Sequence, residues 1–303
     1  MSDPVNSKER LPFSGYLFLI GTAFFTAVSY AIGKSLDKDL DPETTTFFWF
    51  FGAFVFSLII SPLIPSQRRE FRNLHSYKKI FIYSSVITSV GAALWIISLW
   101  TIGPALTSFL MKAQTLFSLF LGILFLGERL NKGETVGILV TIAGGVIVAY
   151  QKENYLIIGT ITALTAAFFY SFLAFLVKKI ANDLNMLTVA TLRTLGVSIV
   201  VSIFLILTGT FEMPEFKDAI YMGFGGITGA YVAKACQFHS IKLLDVSRTT
   251  AVMPLESLFV VILSYFIFDD LPSAIKLAGG ALIITGVVFI VIFRGEKNNL
   301  LGK

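Results

Sequence analysis

Long apolar runs separated by short polar segments dominate the pattern along this 303-residue chain. Four stretches contain no Asp, Glu, Lys or Arg: residues 11–33, 44–67, 80–111 and 154–177. A helix needs about 20 apolar residues to cross a hydrocarbon core roughly 30 Å thick. The runs lack the two-residue alternation of membrane β-strands, so they favour helices, which satisfy their backbone groups internally.

Glycine, proline and charged residues divide the chain into ten predicted membrane-spanning helices. Their predicted bounds are 13–34, 44–64, 79–100, 104–126, 134–150, 155–178, 187–209, 218–240, 246–268 and 274–293. The fold class is therefore an all-α integral membrane protein. No small-residue cleavage site follows the polar segment 1–12, so we expect the first helix to be retained.

The basic residues in the loops and at the helix ends are divided unevenly between the two predicted sides of the membrane. Four lie on one side: Lys34, Lys38, Lys152 and Lys217. Fifteen lie on the other: Lys8, Arg10, Arg68, Arg69, Arg72, Lys78, Lys79, Arg129, Lys132, Lys178, Lys179, Lys242, Arg294, Lys297 and Lys303. Because basic loops stay in the cytoplasm, the tails 1–12 and 294–303 are both predicted to be cytoplasmic, in a plasma (inner) membrane.

Composition agrees with a lipid environment. Hydrophobic residues make up 55% of the chain and charged residues 14%, and the mean hydropathy is +0.79. Soluble domains carry about 25% charged residues. The net charge of +5 comes mainly from the loops, so we attribute it to orientation and predict no nucleic-acid partner. The single cysteine, Cys236, excludes an intrachain disulfide.

The two halves of the chain are related by an internal repeat. Residues 107–148 align without gaps on residues 249–290, with nine identities that include Gly137/Gly279 and Gly144/Gly286. Each half, 13–150 and 155–293, holds five predicted helices. An odd number forces opposite orientations, and inverted repeats place a binding site near the midplane between them. Duplication retained only for a structural bundle is the alternative.

The segment from Leu126 to Leu130, Leu-Gly-Glu-Arg-Leu, followed by Gly137 and Gly144-Gly145-Val146, resembles the EamA signature of the drug/metabolite transporter superfamily. The resemblance covers nearly the whole chain. It implies a transporter whose fifth and tenth helices are peripheral, where their glycines could pack against neighbours. The family's mid-helix proline is kept as Pro254, which we predict has a gating role, but is replaced by Lys112.

Ionisable residues inside the apolar runs are the main candidates for a site, since burial in lipid is costly. Lys112 and Glu256 are both predicted near the midplane, and Gln114 is the repeat equivalent of Glu256. We predict that these three form the polar centre of a substrate site. A purely structural Lys112–Glu256 ion pair is the alternative, and a pair that breaks and reforms would reconcile the two.

Six further residues complete the predicted substrate site. Arg193 and Lys234 are shallower and could instead reach the cytoplasmic interface. The resemblance implies that Arg193, Tyr30 and Tyr170 line the central opening. Trp49 and Trp95 are the repeat equivalents of Arg193 and Gln237. Aromatic rings with a polar edge suit small amphipathic ligands, although each could also serve packing.

These features predict a secondary-active transporter of small polar metabolites, amino-acid-like compounds or organic anions, working by alternating access. No nucleotide-binding loop or hydrolase motif is present, and with only two histidines a multi-histidine metal site is excluded. We predict no cofactor and no enzyme activity, with a coupled proton or a counter-substrate as energy source. A channel, a membrane scaffold and, less strongly, an intramembrane enzyme are the rivals; a monomer and a homodimer both stay open.

Overall fold

The structure is a computed structural model that describes residues 13–36, 40–64, 67, 70, 78–126, 130–150, 154–180, 184–244 and 254–301. All regular elements in these ranges are helical. They are α1 (Phe13–Ser35), α2 (Pro42–Ile60), α3 (Lys78–Met111), α4 (Ala113–Leu126), α5 (Lys132–Ala149), α6 (Asn154–Ile180), α7 (Met186–Thr208), α8 (Phe216–Gly225), α9 (Lys234–Leu244), α10 (Leu255–Phe268) and α11 (Ala274–Leu301). A 3-10 turn, Ser61–Leu63, follows α2, and a π-helical segment, Gly226–Ala233, joins α8 to α9.

Within the described ranges, six helical segments are long and apolar enough to cross a membrane: Ser14–Ser35, Pro42–Ile60, Phe81–Met111, Ile157–Leu176, Met186–Thr208 and Ala274–Phe293. The segments Ala113–Phe125 and Leu255–Phe268 are apolar but shorter. The prediction of an all-helical membrane protein is therefore confirmed. The residues 246–253 of the predicted ninth helix lie outside the described part of the chain.

Several predicted helices are interrupted rather than continuous. The backbone of α3 breaks at Gly103, whose φ of 79° is open to glycine at little cost, and Pro104 follows at once. The predicted helix 104–126 is interrupted again by a turn at Lys112. The predicted helix 218–240 consists of α8, the π-helical segment and α9. Such π-helical turns are rare and frequently mark functional sites.

The helices of the two halves pack in pairs that an exchange of the halves would preserve. Helix α3 packs along α6, and the equivalent α8–α9 segment packs along α1. Helix α4 lies against α6 and the equivalent α10 against α1, while α2 pairs with α7 and α5 with α11. The α2–α7 and α5–α11 contacts each pair two equivalent helices. The contacts of α3 and α4 with α6 correspond to those of α8–α9 and α10 with α1. Two-fold symmetry requires this pattern.

Helices α5 and α11 make the closest of these pairings. A Cβ atom on Gly137 would lie 2.7 Å from the Gly286 carbonyl oxygen, and one on Gly144 would lie 2.6 Å from that of Gly279. The two contacts are repeat equivalents, and their order shows that the helices run antiparallel. The glycines therefore pack within the chain, not against a neighbouring molecule.

The ends of this helix pair are fastened by polar contacts. The Asn131 amide donates to the Phe293 carbonyl oxygen at 2.9 Å, while Asn131 and Glu134 form a capping box that begins α5. At the other end, Lys276 Nζ donates to the carbonyl oxygen of Val148 at 2.7 Å and also to that of Tyr150. These bonds use carbonyl groups that a helix end leaves free.

Candidate functional site

A buried ion pair joins the two halves at the starts of α4 and of its repeat equivalent, α10. Lys112 Nζ lies 3.1 Å from Glu256 Oε2, and each residue is only 6% exposed. Lys112 comes from the turn between α3 and α4, and Glu256 from the first turn of α10. Removing two charges from water is costly, so the pair needs this close geometry to be tolerated.

Helices α4 and α10 begin at the same position of the repeat. The Thr115 amide donates to the Lys112 carbonyl oxygen at 3.0 Å, and the Ser257 amide donates to the Pro254 carbonyl oxygen at 3.0 Å. Both are single-turn bonds spanning three residues, and the two pairs correspond in the alignment. Interrupted helices expose backbone polar groups and helix ends, which carriers use to bind solutes at the midplane.

Polar side chains extend from this ion pair toward α6 and α9. Gln114 Nε2 donates to the Tyr170 carbonyl oxygen at 3.4 Å. Lys234 Nζ lies 5.9 Å from the centre of the Tyr170 ring and donates to Gln237 Oε1 at 2.8 Å. The charges of Arg193, Glu256 and Lys112 all act on Lys234. These side chains therefore form one electrostatic cluster.

Arg193 is the most deeply enclosed cation beside this cluster. It is 4% exposed, its Nη1 donates to the Ala230 carbonyl oxygen at 3.3 Å, and its guanidinium carbon lies 5.3 Å from the Phe50 ring centre. Its Nε has no hydrogen-bond partner. The contact with Ala230 depends on the π-helical segment, so local helix geometry helps to orient the guanidinium.

Aromatic residues form one wall beside the cluster. The rings of Tyr30 and Trp95 meet edge to face with centres 5.1 Å apart, and Trp49 meets Trp95 at 5.7 Å. Tyr30 and Trp49 are each 3% exposed. Trp49 also fills the space that Gly225 and Gly226 leave open, since a Cβ on either would collide with it. Trp49 is therefore a packing residue in this conformation.

The structure brings most of the predicted site residues into two adjoining groups. Lys112, Glu256, Gln114, Tyr170 and Lys234 are linked as described, and Tyr30, Trp95 and Trp49 form the aromatic wall. Tyr30 belongs to the same hydrophobic cluster as Val260 of α10, the helix that carries Glu256, and this packing connects the groups. Pro254 lies directly before α10, two residues before Glu256.

Sequence reasoning did not single out the residues that hold Arg193 and Lys234. Phe50, Ala230 and Gln237 are ordinary members of apolar helices, and no pattern distinguishes them. The glycine-rich run 223–229 was the available signal, because it marks the helix that becomes π-helical and approaches α1 and α2 closely.

A second ion pair lies at the end of the molecule where Gly103 interrupts α3. Lys34, near the end of α1, pairs with Asp270, which follows α10, and lies 5.1 Å from the Phe268 ring centre. Trp100 Nε1 donates to the Gly33 carbonyl oxygen at 3.0 Å. This pair also joins the two halves, although it is far more exposed.

The described ranges contain no group of three or more His, Cys, Asp or Glu residues that could hold a metal ion. The polar side chains of the central cluster instead provide one carboxylate, two ammonium groups, one guanidinium group and amides. That composition suits hydrogen bonding to a polar solute more than coordination of a cation.

Comparison with known proteins gives the class and then the family. A curated relative from Methanothermobacter thermautotrophicus, described as an uncharacterized transporter, is 23% identical over 93% of this chain and 87% of its own length. S-adenosylmethionine uptake transporters of Rickettsia conorii and Rickettsia prowazekii are each 25% identical over 94% of this chain and 96% of their own. These names, with the apolar helices, define a multi-pass membrane transporter.

The model of the EamA-like transporter family matches residues 13–150 and 157–292, one match for each half. The chain belongs to that family, and the resemblance in its sequence is confirmed. A solved crystal structure superposes with a TM-score of 0.62 at 15% identity, covering 92% of this chain and 98% of the other. At that identity the similarity supports the fold alone.

Proposed function

We propose that the protein is a secondary-active carrier of small polar metabolites, either amino-acid-like compounds or organic anions, that works by alternating access. The observation that carries this proposal is the buried Lys112–Glu256 pair, located at the starts of α4 and of its repeat equivalent, α10. An ion pair within an apolar bundle is costly and only weakly stabilising, so a functional reason for its presence is favoured.

Two-fold exchange of helix contacts supports the alternating mechanism. The α3–α6 contact is equivalent to the contact of α8–α9 with α1. The two halves can therefore exchange conformations, so that the site opens to the opposite side of the membrane at a similar free energy. Inverted repeats in carriers work in this way, by rocking around a fixed site. Neither a channel nor a scaffold requires two such exchangeable arrangements.

The proposed site consists of the residues of the central cluster. Lys112, Gln114 and Glu256 form its polar floor, Arg193 and Lys234 supply positive charge, and the aromatic side chains Tyr30, Trp49, Trp95 and Tyr170 enclose the solute. Pro254 directly precedes α10 and serves as a gate. When the Lys112–Glu256 pair breaks, both residues become free to bind substrate, so binding and gating are coupled.

We further propose ten membrane crossings, with the segments 1–12 and 294–303 in the cytoplasm and the two halves, 13–150 and 155–293, inserted in opposite directions. The distribution of basic residues supports this orientation in the plasma (inner) membrane. The Lys34–Asp270 pair then lies on the outer side. The energy source is a proton or a counter-substrate, and the unit is a monomer or a homodimer formed through surfaces other than the α5–α11 glycines.

Counterflow in proteoliposomes tests the proposal. Purified protein loaded with an unlabelled solute should accumulate the same labelled solute transiently and saturably. Lys112→Met and Glu256→Gln should each abolish this exchange, with flux normalised to the amount of inserted protein. Lys217→Gln changes an exposed cation at the start of α8 and should retain wild-type flux.

Two results would overturn the proposal. Non-saturable conductance would identify a channel, and wild-type flux from both central variants would remove Lys112 and Glu256 from the site. Accessibility labelling of single cysteines tests the orientation separately, since 68–79 and 131–133 should react from the same side. Labelling from opposite sides would contradict the inverted repeat.

A further inference from the structure

The charges of the central cluster do not balance. Glu256 is its carboxylate and is bound to Lys112, so those two charges cancel. Arg193 and Lys234 have no carboxylate within ion-pair distance among the residues that the structure describes. Two positive charges therefore act on one region of an apolar bundle, and no described carboxylate is paired with either of them.

Arg193 has an unused donor in a fixed position. Its Nη1 is bound by the Ala230 carbonyl oxygen and its plane is held near Phe50, while Nε is buried and without a partner. A guanidinium presents its donors as a planar fork that matches the two oxygens of a carboxylate. A buried donor left unpaired is costly, so this geometry favours an incoming anionic group.

Lys234 supplies a second positive group from the same side of the facing helix. It follows Ala230 by four residues, about one helical turn, and therefore lies near the face that touches Arg193. Its ammonium group has the neutral Gln237 amide oxygen and the Tyr170 ring as neighbours, and the residue is half-buried. It retains donors for a ligand, because an ammonium group has three.

We infer that Arg193 and Lys234 form a subsite for the two negative groups of a small organic dianion, of the dicarboxylate type. This inference rests on the proposed transport function and narrows its substrate class. Arg193 takes one carboxylate through its planar fork, and Lys234 takes the second negative group as a point charge. The Lys112–Glu256 pair adds no net charge.

The same arrangement disfavours zwitterions and cations. A substrate ammonium group would need a carboxylate, and Glu256 becomes available only when its pair with Lys112 breaks, which also frees the Lys112 ammonium group. With the pair closed or open, the cluster carries more positive than negative charge. Aromatic faces can also hold cations, but Phe50 and Tyr170 already face Arg193 and Lys234. S-adenosylmethionine carries a sulfonium and an ammonium group against one carboxylate. This chain should therefore discriminate against the solute named for its Rickettsia relatives.

Ligand-induced thermal stabilisation of the purified full chain tests the inference. The probes are the dianions succinate, glutarate and malate; succinamate, which has the size of succinate with one charge fewer; the zwitterion alanine; and the cations lysine and S-adenosylmethionine. The best dianion should bind at least about tenfold more tightly than its matched monoanion, zwitterion or cation, as expected for a lost charge-assisted hydrogen bond.

Variants locate the two charges. Arg193→Gln and Lys234→Gln should each reduce dianion affinity by about tenfold or more and remove the preference for succinate over succinamate. Arg193→Lys keeps the positive charge but lacks the planar guanidinium, so it should recover part of the dianion affinity that Arg193→Gln loses. Lys217→Gln should bind as the wild type does. A purely structural Arg193 would lower thermal stability without changing the charge preference.

The inference and the transport function can fail separately. Counterflow of alanine, lysine or S-adenosylmethionine without exchange or stabilisation by any dianion would overturn the dianion subsite and leave the carrier standing. Dianion-dependent stabilisation without saturable exchange would overturn the carrier and leave the subsite standing. Stabilisation by none of the dianions, or an unchanged preference in both glutamine variants, would also overturn the subsite.

Discussion

The α5–α11 pair and the central cluster are both built where the two halves meet, yet they use the repeat in opposite ways. At the periphery, equivalent residues make equivalent contacts: Gly137 meets Gly286 as Gly144 meets Gly279. At the centre, the equivalent positions hold different residues: Lys112 is the repeat equivalent of Pro254, and Gln114 is that of Glu256. The symmetry of the scaffold is retained there, while the chemistry of the site is not.

This difference has a physical cause. Close approach of two helices is a steric requirement, and identical small residues in both copies satisfy it at both places. An ion pair across a two-fold axis needs opposite charges. Identical copies would provide either like charges, which repel, or two full pairs, which would double the cost of burial. A site with net charge therefore requires the copies to diverge.

The largest expected effect comes from breaking the central ion pair. Lys112→Met should lower the free energy of unfolding by about 3–5 kcal/mol, because it leaves the Glu256 carboxylate buried without a partner. The double variant Lys112→Met with Glu256→Met should recover most of that loss while remaining inactive in counterflow. Denaturant titration in micelles measures both. Equal stability of Lys112→Met and wild type would show that the pair is open to water.

A smaller effect is expected at the helix pair. Gly137→Ala should lower the free energy of unfolding by about 1–3 kcal/mol, since its Cβ would overlap the Gly286 carbonyl oxygen. A Cβ atom added to Gly145, on the same helix, would have no atom within 4 Å. Gly145→Ala is thus the matched control and should gain up to about 1 kcal/mol from helix propensity. The same titration compares them. If both alanines behave alike, the glycine contacts do not fasten α5 to α11.

The smallest effect is expected at the outer ion pair. The side chains of Lys34 and Asp270 are 23% and 47% exposed, so water and salt screen their attraction. Lys34→Gln or Asp270→Asn should cost no more than about 1 kcal/mol. The charge-swapped double variant, Lys34→Asp with Asp270→Lys, should restore stability at low salt. A loss as large as that of Lys112→Met would mean that exposure does not separate the two pairs.

Residue patterns were enough for the membrane class, the family and the equivalence of the two halves. The uncharged runs, the Leu-Gly-Glu-Arg-Leu segment and the spaced glycines each depend on local sequence, and the family match and the helices agree with them. The candidate ionisable residues of the site were also identifiable from the sequence, because a charged residue inside an apolar run stands out. Their roles in transport stay predictions.

What the sequence by itself determined was therefore which segments avoid water and which residues violate that rule, since both follow from composition along a single helix. Only the tertiary structure decided which charges cancel. Lys112 and Arg193 look alike as cations within helices, but Lys112 meets a carboxylate from the other half and Arg193 meets only a carbonyl oxygen and a ring. Pairing of this kind depends on residues distant along the chain and on helix interruptions, whose geometry arises only when the two halves pack.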